Sequence, residues 1–283
     1  MKKGKKRRGI RGTVILVLIL LAGVAILLYP TFSDWWNSFH QSRAIAGYVE
    51  AVANMDKEDY DRMFAEAENY NLLLQTKPDR YHFTEEERAE YNRILDITGT
   101  GIMGYVEIPS IDISLPIYHG MNEAVLQTAI GHIEGTSLPV GGTGVHAAIS
   151  GHRGLPSARL FTDIDQLNEG DTFLIQVLDR TLTYEVDQIE TVLPYELDKL
   201  TIDPKKDYCT LITCTPYGVN THRLLVRGKR VESEALQANV TADALLLEPL
   251  IIGPLAAAPF LLLLIILLLL GTRRKAKERR KTK

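Results

Sequence analysis

The sequence YCTLITCTPYGVNTHR, from Tyr208 to Arg223, contains a strand pattern, a turn and the start of a second strand. Its first residues are rich in β-branched and aromatic side chains, which favour a strand, and Pro216 and Gly218 then predict a turn. Cys214 therefore lies where a strand ends, and loops at strand ends are where a rigid scaffold presents reactive groups. We expect the second strand to bring Arg223 back beside this cysteine.

Similar strand patterns extend across residues 103–232 and are separated by glycine and proline turns. Seven or eight short strands within about 130 residues predict a closed barrel or a sandwich, and the few intervening helices disfavour a parallel α/β sheet. The expected fold class is therefore mainly β. The predicted strands are Tyr105–Ile108, Ile113–Tyr118, Val145–Ser150, Thr172–Val177, Thr181–Val192, Tyr208–Cys214 and Arg223–Val231, with short helices at Glu123–Ile130 and Leu160–Leu167.

Residues 30–102 have a helical pattern instead, with apolar residues at three- and four-residue spacing. Asp56 is a predicted helix N-cap, and Thr84 with Glu87 has the spacing of a capping box. Residues 75–83 lack this periodicity and predict an extended connector between two helices. We refer to residues 30–102 as the helical arm.

An apolar stretch near the amino terminus, residues 13–29, follows seven Lys and Arg within residues 1–12. At a rise of about 1.5 Å per residue, a helix of this length crosses most of a bilayer. A cleaved signal peptide shares the pattern of a basic start and an apolar core. Because Tyr29, Pro30 and Thr31 give no small-residue cleavage site, the sequence favours an uncleaved anchor.

A second apolar stretch, residues 245–271, precedes eight Lys and Arg within residues 272–283. The positive-inside rule keeps both basic segments in the cytoplasm. The sequence therefore predicts a two-pass protein of the cell membrane with both termini cytoplasmic. The helical arm, the β domain and a linker at 233–244 would then lie outside the cell.

The charge of the chain is divided sharply between its ends and its middle. Of 32 Lys and Arg, the two terminal clusters hold 15, so 17 remain in the middle against 34 of the 35 Asp and Glu. This acidic balance argues against nucleic acid as a partner and favours basic or neutral ones.

The two cysteines, Cys209 and Cys214, are too few for a disulfide-stapled secreted domain. They lie five residues apart on one predicted strand, hence on opposite faces and roughly 16 Å apart, beyond disulfide reach. Cys214 is thus available as a nucleophile, and a cysteine nucleophile needs a proton-transfer partner. His152 is one candidate among seven histidines, because it closes a strand between Gly151 and Gly154.

Three motifs in order, SGHRG at 150–154, TLITC at 210–214 and RLLVR at 223–227, strongly resemble the signature of the sortases. These are membrane-bound cysteine transpeptidases of Gram-positive bacteria with an eight-stranded β-barrel. The resemblance implies that Cys214 is the nucleophile, His152 the general acid and base, and Arg223 the group that holds substrate and stabilises the oxyanion. No cofactor and no metal site are expected, because the sequence has no phosphate-binding loop, no zinc-type Cys and His spacing and no carboxylate cluster that compels a metal. Substrate binding is assigned by the same resemblance to Ser150, Leu211 and Thr213.

Several features resemble the pilus-assembling class C sortases: the second apolar stretch, the helical arm, the GTSLPVGG string at 135–142 and the TPYG and THR sequences around the loop at 215–223. Such enzymes cleave an LPXTG-like sorting signal between Thr and Gly and join it to a lysine of the next pilin. Many cover the active site with a lid carrying an Asp-Pro-aromatic motif. The connector here has Asp79, Arg80 and Tyr81 instead, so a lid anchored in the usual way is not expected.

Two other functions stay open at the level of the sequence. A sortase that attaches surface proteins to peptidoglycan would share the same three residues and differ in its acceptor amine. A catalytically silent membrane scaffold would use the barrel only to bind surface proteins. An L,D-transpeptidase is disfavoured because the Ser-x-Gly-Cys arrangement around its nucleophile is missing.

Overall fold

The computed structural model describes residues 4–232. The predicted linker at 233–244, the second apolar span at 245–271 and the basic tail at 272–283 lie outside the described residues. The described chain divides into two compact units, with the boundary between Trp35 and Trp36. The first unit holds the amino-terminal part of a long helix, and the second holds the rest of the arm and all of the strands.

The long helix α1 runs from Gly4 to Ala53 and includes Pro30. Within the described chain, one stretch has the length and apolar composition needed to cross a membrane, and it lies in Val14–Ala53. Apolar side chains such as Leu16 and Leu27 are exposed there, at 68% and 77%. The amino-terminal apolar segment is therefore helical, as its sequence predicts.

Two further helices complete the arm, α2 at Lys57–Thr76 and α3 at Glu85–Arg93. Both begin at the predicted caps. The Asp56 side chain accepts a hydrogen bond from the backbone N–H of Asp59, and Thr84 and Glu87 form the reciprocal capping box. These bonds satisfy N–H groups that the first turn of a helix leaves unpaired.

The strands of the second unit form a closed eight-stranded barrel with the order β1–β2–β3–β4–β7–β8–β6–β5. Its strands are β1 Ile102–Ile108, β2 Ile113–His119, β3 Ile130–His132, β4 Val145–Ser150, β5 Thr172–Val177, β6 Arg180–Val192, β7 Asp207–Thr215 and β8 His222–Val231, and a short helix, α4, covers Glu123–Leu126. The expected mainly β fold is confirmed. Two local predictions were wrong: Ile130 begins β3 rather than ending a helix, and only Ile164–Gln166 is helical, as a 3₁₀ turn, within the predicted helix at 160–167.

Buried hydrogen bonds join the helical arm to the barrel. Tyr48 of α1 donates to the backbone carbonyl of Met103 and accepts from the backbone N–H of Leu178, at 3.1 and 2.8 Å. Asn71 of α2 donates to the carbonyl of Leu138 and accepts from its N–H, at 3.0 and 2.7 Å. Because buried backbone groups are costly to leave unpaired, these contacts make the arm part of the folded unit.

Candidate active site

The register of β7 and β8 places Cys214 directly opposite Arg223. Directly opposed residues of antiparallel strands have their Cβ atoms about 4.5–5.5 Å apart and on the same face of the sheet. Both residues are partly exposed. The predicted return of Arg223 beside the cysteine is therefore confirmed.

Neighbouring hydrogen bonds bring the segment of His152 to the same end of β7. The parallel β4 and β7 pair Ser150 with Ile212. One residue further, the N–H of Gly151 donates to the carbonyl of Ile212 at 3.0 Å, and the Thr213 hydroxyl donates to the carbonyl of Gly151 at 2.8 Å. His152 follows at once, so its backbone is held beside the strand end that carries Cys214.

Gly151 is required by close packing at this point. A Cβ atom at Gly151 would lie 2.7 Å from Ile130 Cγ2 and 2.9 Å from Phe161 Cδ2. The carbonyl of the next residue, His152, also accepts a hydrogen bond from the N–H of Phe161 at 3.1 Å. The glycine therefore lets the histidine segment pack tightly over β3 and the following loop.

The guanidinium of Arg223 is held by backbone carbonyls rather than by a carboxylate. Its Nη1 donates to the carbonyls of Asn220 and His222, at 3.3 and 3.1 Å. No Asp or Glu within residues 4–232 forms an ion pair with it. Its positive charge thus stays available for a negative oxygen near Cys214, and its remaining N–H groups can donate to such an oxygen.

The two thiols occupy opposite environments. Cys209 is fully buried in the barrel core, and burial raises the pKa of its thiol well above the ordinary value. Cys214, on the other face of the strand, is partly exposed, and both thiols are free. Since the thiolate is the reactive form, Cys209 is chemically inert and Cys214 is the accessible thiol.

Three other histidines serve the fold. His119, His132 and His146 are buried, and each uses both ring nitrogens in contacts with neighbouring protein atoms. Desolvation lowers the pKa of His132 to about 4, and burial also lowers that of His146. Because their ring nitrogens already have partners inside the fold, these histidines are poorly placed to exchange protons with a substrate.

The three residues assigned to substrate binding differ in their exposure to solvent. Ser150 is partly exposed at the end of β4. Leu211 is fully buried in the main core, and Thr213 is buried with its hydroxyl bonded to Gly151. As placed, the Leu211 and Thr213 side chains support the barrel and the Gly151 segment, and direct contact of either side chain with substrate is not supported.

The face that Cys214 shares with Ile212 carries a separate apolar cluster. Ile212 packs there with Leu225 of β8, the neighbour of Arg223 on that face. Alternation along both strands places these apolar residues one step from the cysteine and the arginine. The other members of the cluster are Ala148, Val192 and Leu200, with Ile133 packed against them.

The connector with Asp79, Arg80 and Tyr81 packs against the barrel. Arg80 donates to the carbonyl of Leu200 at 2.8 Å and lies over the ring of Tyr81. A Cβ atom on Gly135 would meet the Arg80 carbonyl and the Tyr81 ring, at 2.5 and 2.6 Å. Asp79 contacts His82 instead of an active-site residue. Arg80 and Tyr81 thus contact Gly135 and Leu200, and no hydrogen bond, ion pair or ring contact within residues 4–232 joins the connector to Cys214 or Arg223.

Sequence reasoning missed Arg153, which follows His152 directly. Its side chain is 9% exposed and forms an ion pair with Asp165. It also reaches the Thr215 hydroxyl and the Tyr217 ring, on the segment that follows Cys214. An arginine immediately after a candidate catalytic histidine was the available signal.

Among residues 4–232, no group of three or more His, Cys, Asp and Glu side chains could hold a metal ion.

Comparison with known proteins identifies a family that shares this sequence and fold. Residues 106–231 match the sortase domain. The chain is 54% identical to the crystal structure of sortase C1 from Streptococcus agalactiae, with a TM-score of 0.66, over 68% of this chain and all of that one. It is 43% identical to a sortase C from Streptococcus pneumoniae, with a TM-score of 0.60, over 68% and 97% of the two chains. Sortase A of Bacillus anthracis is 24% identical over 79% of this chain and 96% of its own length.

Proposed function

The chain belongs to the sortase family, with class C sortases as its structural neighbours, and on that premise we propose that it is a pilin polymerase in which Cys214, His152 and Arg223 do the chemistry. As a sortase it is a cysteine transpeptidase. The observation that carries the assignment of residues is the cross-strand pair of Cys214 and Arg223, with the His152 segment bonded to the same end of β7.

In the first half of the reaction, the thiolate of Cys214 attacks the Thr carbonyl carbon of an LPXTG-like sorting signal. A C–S bond forms, and the carbonyl oxygen takes up negative charge. The guanidinium of Arg223 donates hydrogen bonds to that oxygen. The C–N bond to Gly then breaks, and His152 gives its proton to the leaving amine, so that a thioester on Cys214 remains.

In the second half, a lysine amine of the next pilin attacks the thioester. His152 removes a proton from this amine, and an isopeptide C–N bond forms as the C–S bond breaks. The thiolate of Cys214 is thereby regenerated. The same arginine stabilises the second tetrahedral oxygen, because both intermediates carry charge on the same atom.

Support for pilins as substrates comes from the relatives and from charge. The pneumococcal sortase C is described in connection with pilin substrate specificity, and another neighbour is the sortase C1 of a streptococcal pilus island. The chain between the two basic clusters carries 34 acidic residues against 17 basic ones. Such a balance favours a lysine-bearing acceptor over an acidic one.

We further propose that residues 13–29 anchor the enzyme in the cell membrane, with the barrel of residues 103–232 outside the cell. A sorting signal reaches its sortase at the external face of the cell membrane. The apolar helix α1 supports the anchor. A linker at 233–244, a second span at 245–271 and cytoplasmic basic segments at 1–12 and 272–283 belong to the same proposal. Protease accessibility of each terminus in intact cells tests this topology.

The test of the polymerase uses the full chain in detergent with a pilin subunit that bears its own sorting signal. A ladder of covalent pilin oligomers, absent with the Cys214→Ala variant, is the expected result. Products formed only with peptidoglycan cross-bridge peptides would instead identify a cell-wall anchoring sortase. Equal product formation by wild type and Cys214→Ala would remove Cys214 from the chemistry, and no covalent product with either pilins or cross-bridge peptides would favour the silent scaffold.

A further inference from the structure

We infer that Arg153 is a positioning residue that fastens the loop of His152 to the loop of Cys214. The inference rests on the proposed roles of those two residues. No hydrogen bond, ion pair or ring contact within residues 4–232 joins Arg153 to either of their side chains. Its contacts are instead made on both sides of the site, with residues that follow the histidine and with residues that follow the cysteine.

On the histidine side, Arg153 is anchored by the carboxylate of Asp165 in the 3₁₀ turn Ile164–Gln166. The carboxylate is 40% exposed, whereas the arginine side chain is 9% exposed. The next residue, Gly154, donates its N–H to the hydroxyl of Thr162 at 3.1 Å. The loop after His152 is thus folded back upon itself around the guanidinium.

On the cysteine side, Arg153 reaches two residues. Its Nη1 lies 3.4 Å from the hydroxyl of Thr215, which directly follows Cys214. Its guanidinium carbon lies 5.7 Å from the ring centre of Tyr217, within the range of a cation–π contact. The same ring packs on Gly154, where a Cβ atom would lie 3.0 Å from Tyr217 Cε2.

The burial of the Arg153 side chain indicates that it links several groups of the protein. Burying a guanidinium is costly unless it is paired, and its Nε is buried without a hydrogen-bond partner among residues 4–232. A surface ion pair with Asp165 alone would not require that burial. The cost is offset only if the cation joins several groups, and the groups that it joins belong to the two loops of the site.

The contacts that Arg153 makes with both loops bear directly on catalysis. The proton that His152 transfers must pass between Cys214, the leaving amine and the acceptor amine, and such transfers need heavy atoms within hydrogen-bond reach. The backbone bonds of Gly151 fix the start of the histidine loop, but they do not fix the loop after Cys214. Arg153 provides that second link, and a loss of about 1 Å in alignment can reduce a rate by about 100-fold.

The test compares Arg153→Ala, Arg153→Lys and Asp165→Asn in the full chain, with a fluorogenic LPXTG-like peptide as substrate. We expect Arg153→Ala to lower kcat by about 10- to 100-fold with little change in KM, because alignment rather than binding is lost. Lysine keeps the charge but cannot reproduce the planar fork, so Arg153→Lys should restore only part of the rate. Asp165→Asn should fall between wild type and Arg153→Ala.

Two readouts separate positioning from a merely structural role. The first is the pH profile of kcat/KM, which should shift in Arg153→Ala because the environment of the cysteine and histidine changes. The second is the thermal midpoint, with Arg93→Ala as the matched control, since Arg93 pairs with Glu66 on the helical arm. That control should leave both the rate and the pH profile unchanged.

Unchanged kcat and pH profile in Arg153→Ala, or a loss that matches the loss of folded protein and is fully restored by lysine, would overturn the inference. The failure of the proposed function has a different signature, since Cys214→Ala would then retain activity. If Cys214→Ala is inactive while Arg153→Ala is fully active, only the positioning role falls.

Discussion

The contact between α3 and the barrel and the edge around Cys214 use similar side chains in opposite ways. At the first, Tyr91 donates to Nδ1 of His132 at 2.9 Å, and Nε2 of the same ring lies 2.8 Å from the Ser137 carbonyl, all of it buried. At the second, Cys214 and Arg223 are partly exposed, and within residues 4–232 the guanidinium is bonded only to backbone carbonyls.

The difference shows how the fold separates stability from chemistry. A buried polar network in which every group has a partner holds one arrangement and gains rigidity. A reactive site needs groups with unused hydrogen-bonding capacity, and such groups are tolerable where water still reaches them. The arm contact should therefore respond to mutation in stability, and the edge around Cys214 in rate.

Two arginines on the same face of β8, Arg223 and Arg227, separate rate from stability. The largest expected effect is the loss of activity in Arg223→Ala. We expect Arg223→Ala to lower kcat/KM by a factor of about 100 to 1,000 without loss of stability, because an oxyanion donor is removed. Arg227→Ala should instead lower the free energy of unfolding by about 1–2 kcal/mol, since Arg227 forms a bidentate pair with Asp187. Steady-state kinetics and urea unfolding on both variants check this. The separation fails if the two variants lose activity equally.

The next effect concerns acid and the buried His132. Burial lowers its pKa from 6.5 to about 4, so protonation favours the unfolded chain. Its contribution to stability is complete above pH 6.5 and is lost as the pH falls from 6.5 toward 4, by up to about 3 kcal/mol. The free energy of unfolding of wild type, measured between pH 7 and 4, should fall more steeply than that of His132→Gln.

The comparison of the two proteins is needed because other groups titrate in the same interval. Burial also lowers the pKa of His146, which destabilises the fold in acid in the same sense, whereas the raised pKa of Asp207 acts in the opposite one. Both contributions are shared by wild type and His132→Gln. Parallel curves for the two proteins would show that His132 carries no such effect.

A smaller effect should follow the loss of the Asn71 side chain. Asn71→Ala leaves the N–H of Leu138 without a partner in a buried place, whereas the Leu138 carbonyl keeps the N–H of Val140, and the expected cost is about 2 kcal/mol. Asn54→Ala is the control, because the Asn54 side chain makes a single exposed bond, to the Glu50 carbonyl. Thermal unfolding measures both, and kcat for the folded fraction should stay unchanged. A lower kcat in fully folded Asn71→Ala would show that the helical arm contributes to catalysis, which would contradict the expectation.

The smallest effect belongs to the exposed cap of α3. Thr84→Ala removes one bond of the capping box and should lower the free energy of unfolding by about 1 kcal/mol. Denaturant titration resolves a change of this size. An unchanged denaturation midpoint would mean that the beginning of α3 adds nothing to the stability of the arm contact.

Much of the fold could be predicted because its local rules agree. The β-branched run ending at Cys214 predicts a strand over 208–214, and the observed β7 is longer by one residue at each end. β3 was missed because three residues, Ile130–His132, are too few to show alternation after a helical turn. The 160–167 segment has apolar spacing that fits a helix, yet the structure gives it turns around the buried Phe161.

The candidate site was predictable in part. Alternation places Cys209 and Cys214 on opposite faces, and the buried position of Cys209 agrees with it. The same alternation, applied to Leu211, would have placed that side chain inside the barrel. The tasks of His132 and Arg153 could not be derived from the sequence, because they depend on residues distant in the chain, Tyr91 for the first and Tyr217 for the second.

The most direct test of the account is the mass of the enzyme trapped during turnover. The full chain is mixed with a sorting-signal peptide, quenched in acid, digested and analysed by mass spectrometry, alongside Cys214→Ala and Cys209→Ala. The account predicts a thioester on Cys214 that carries the peptide up to its Thr, present in wild type and Cys209→Ala and absent from Cys214→Ala. An adduct on Cys209, or product formed by Cys214→Ala at the wild-type rate, would contradict it.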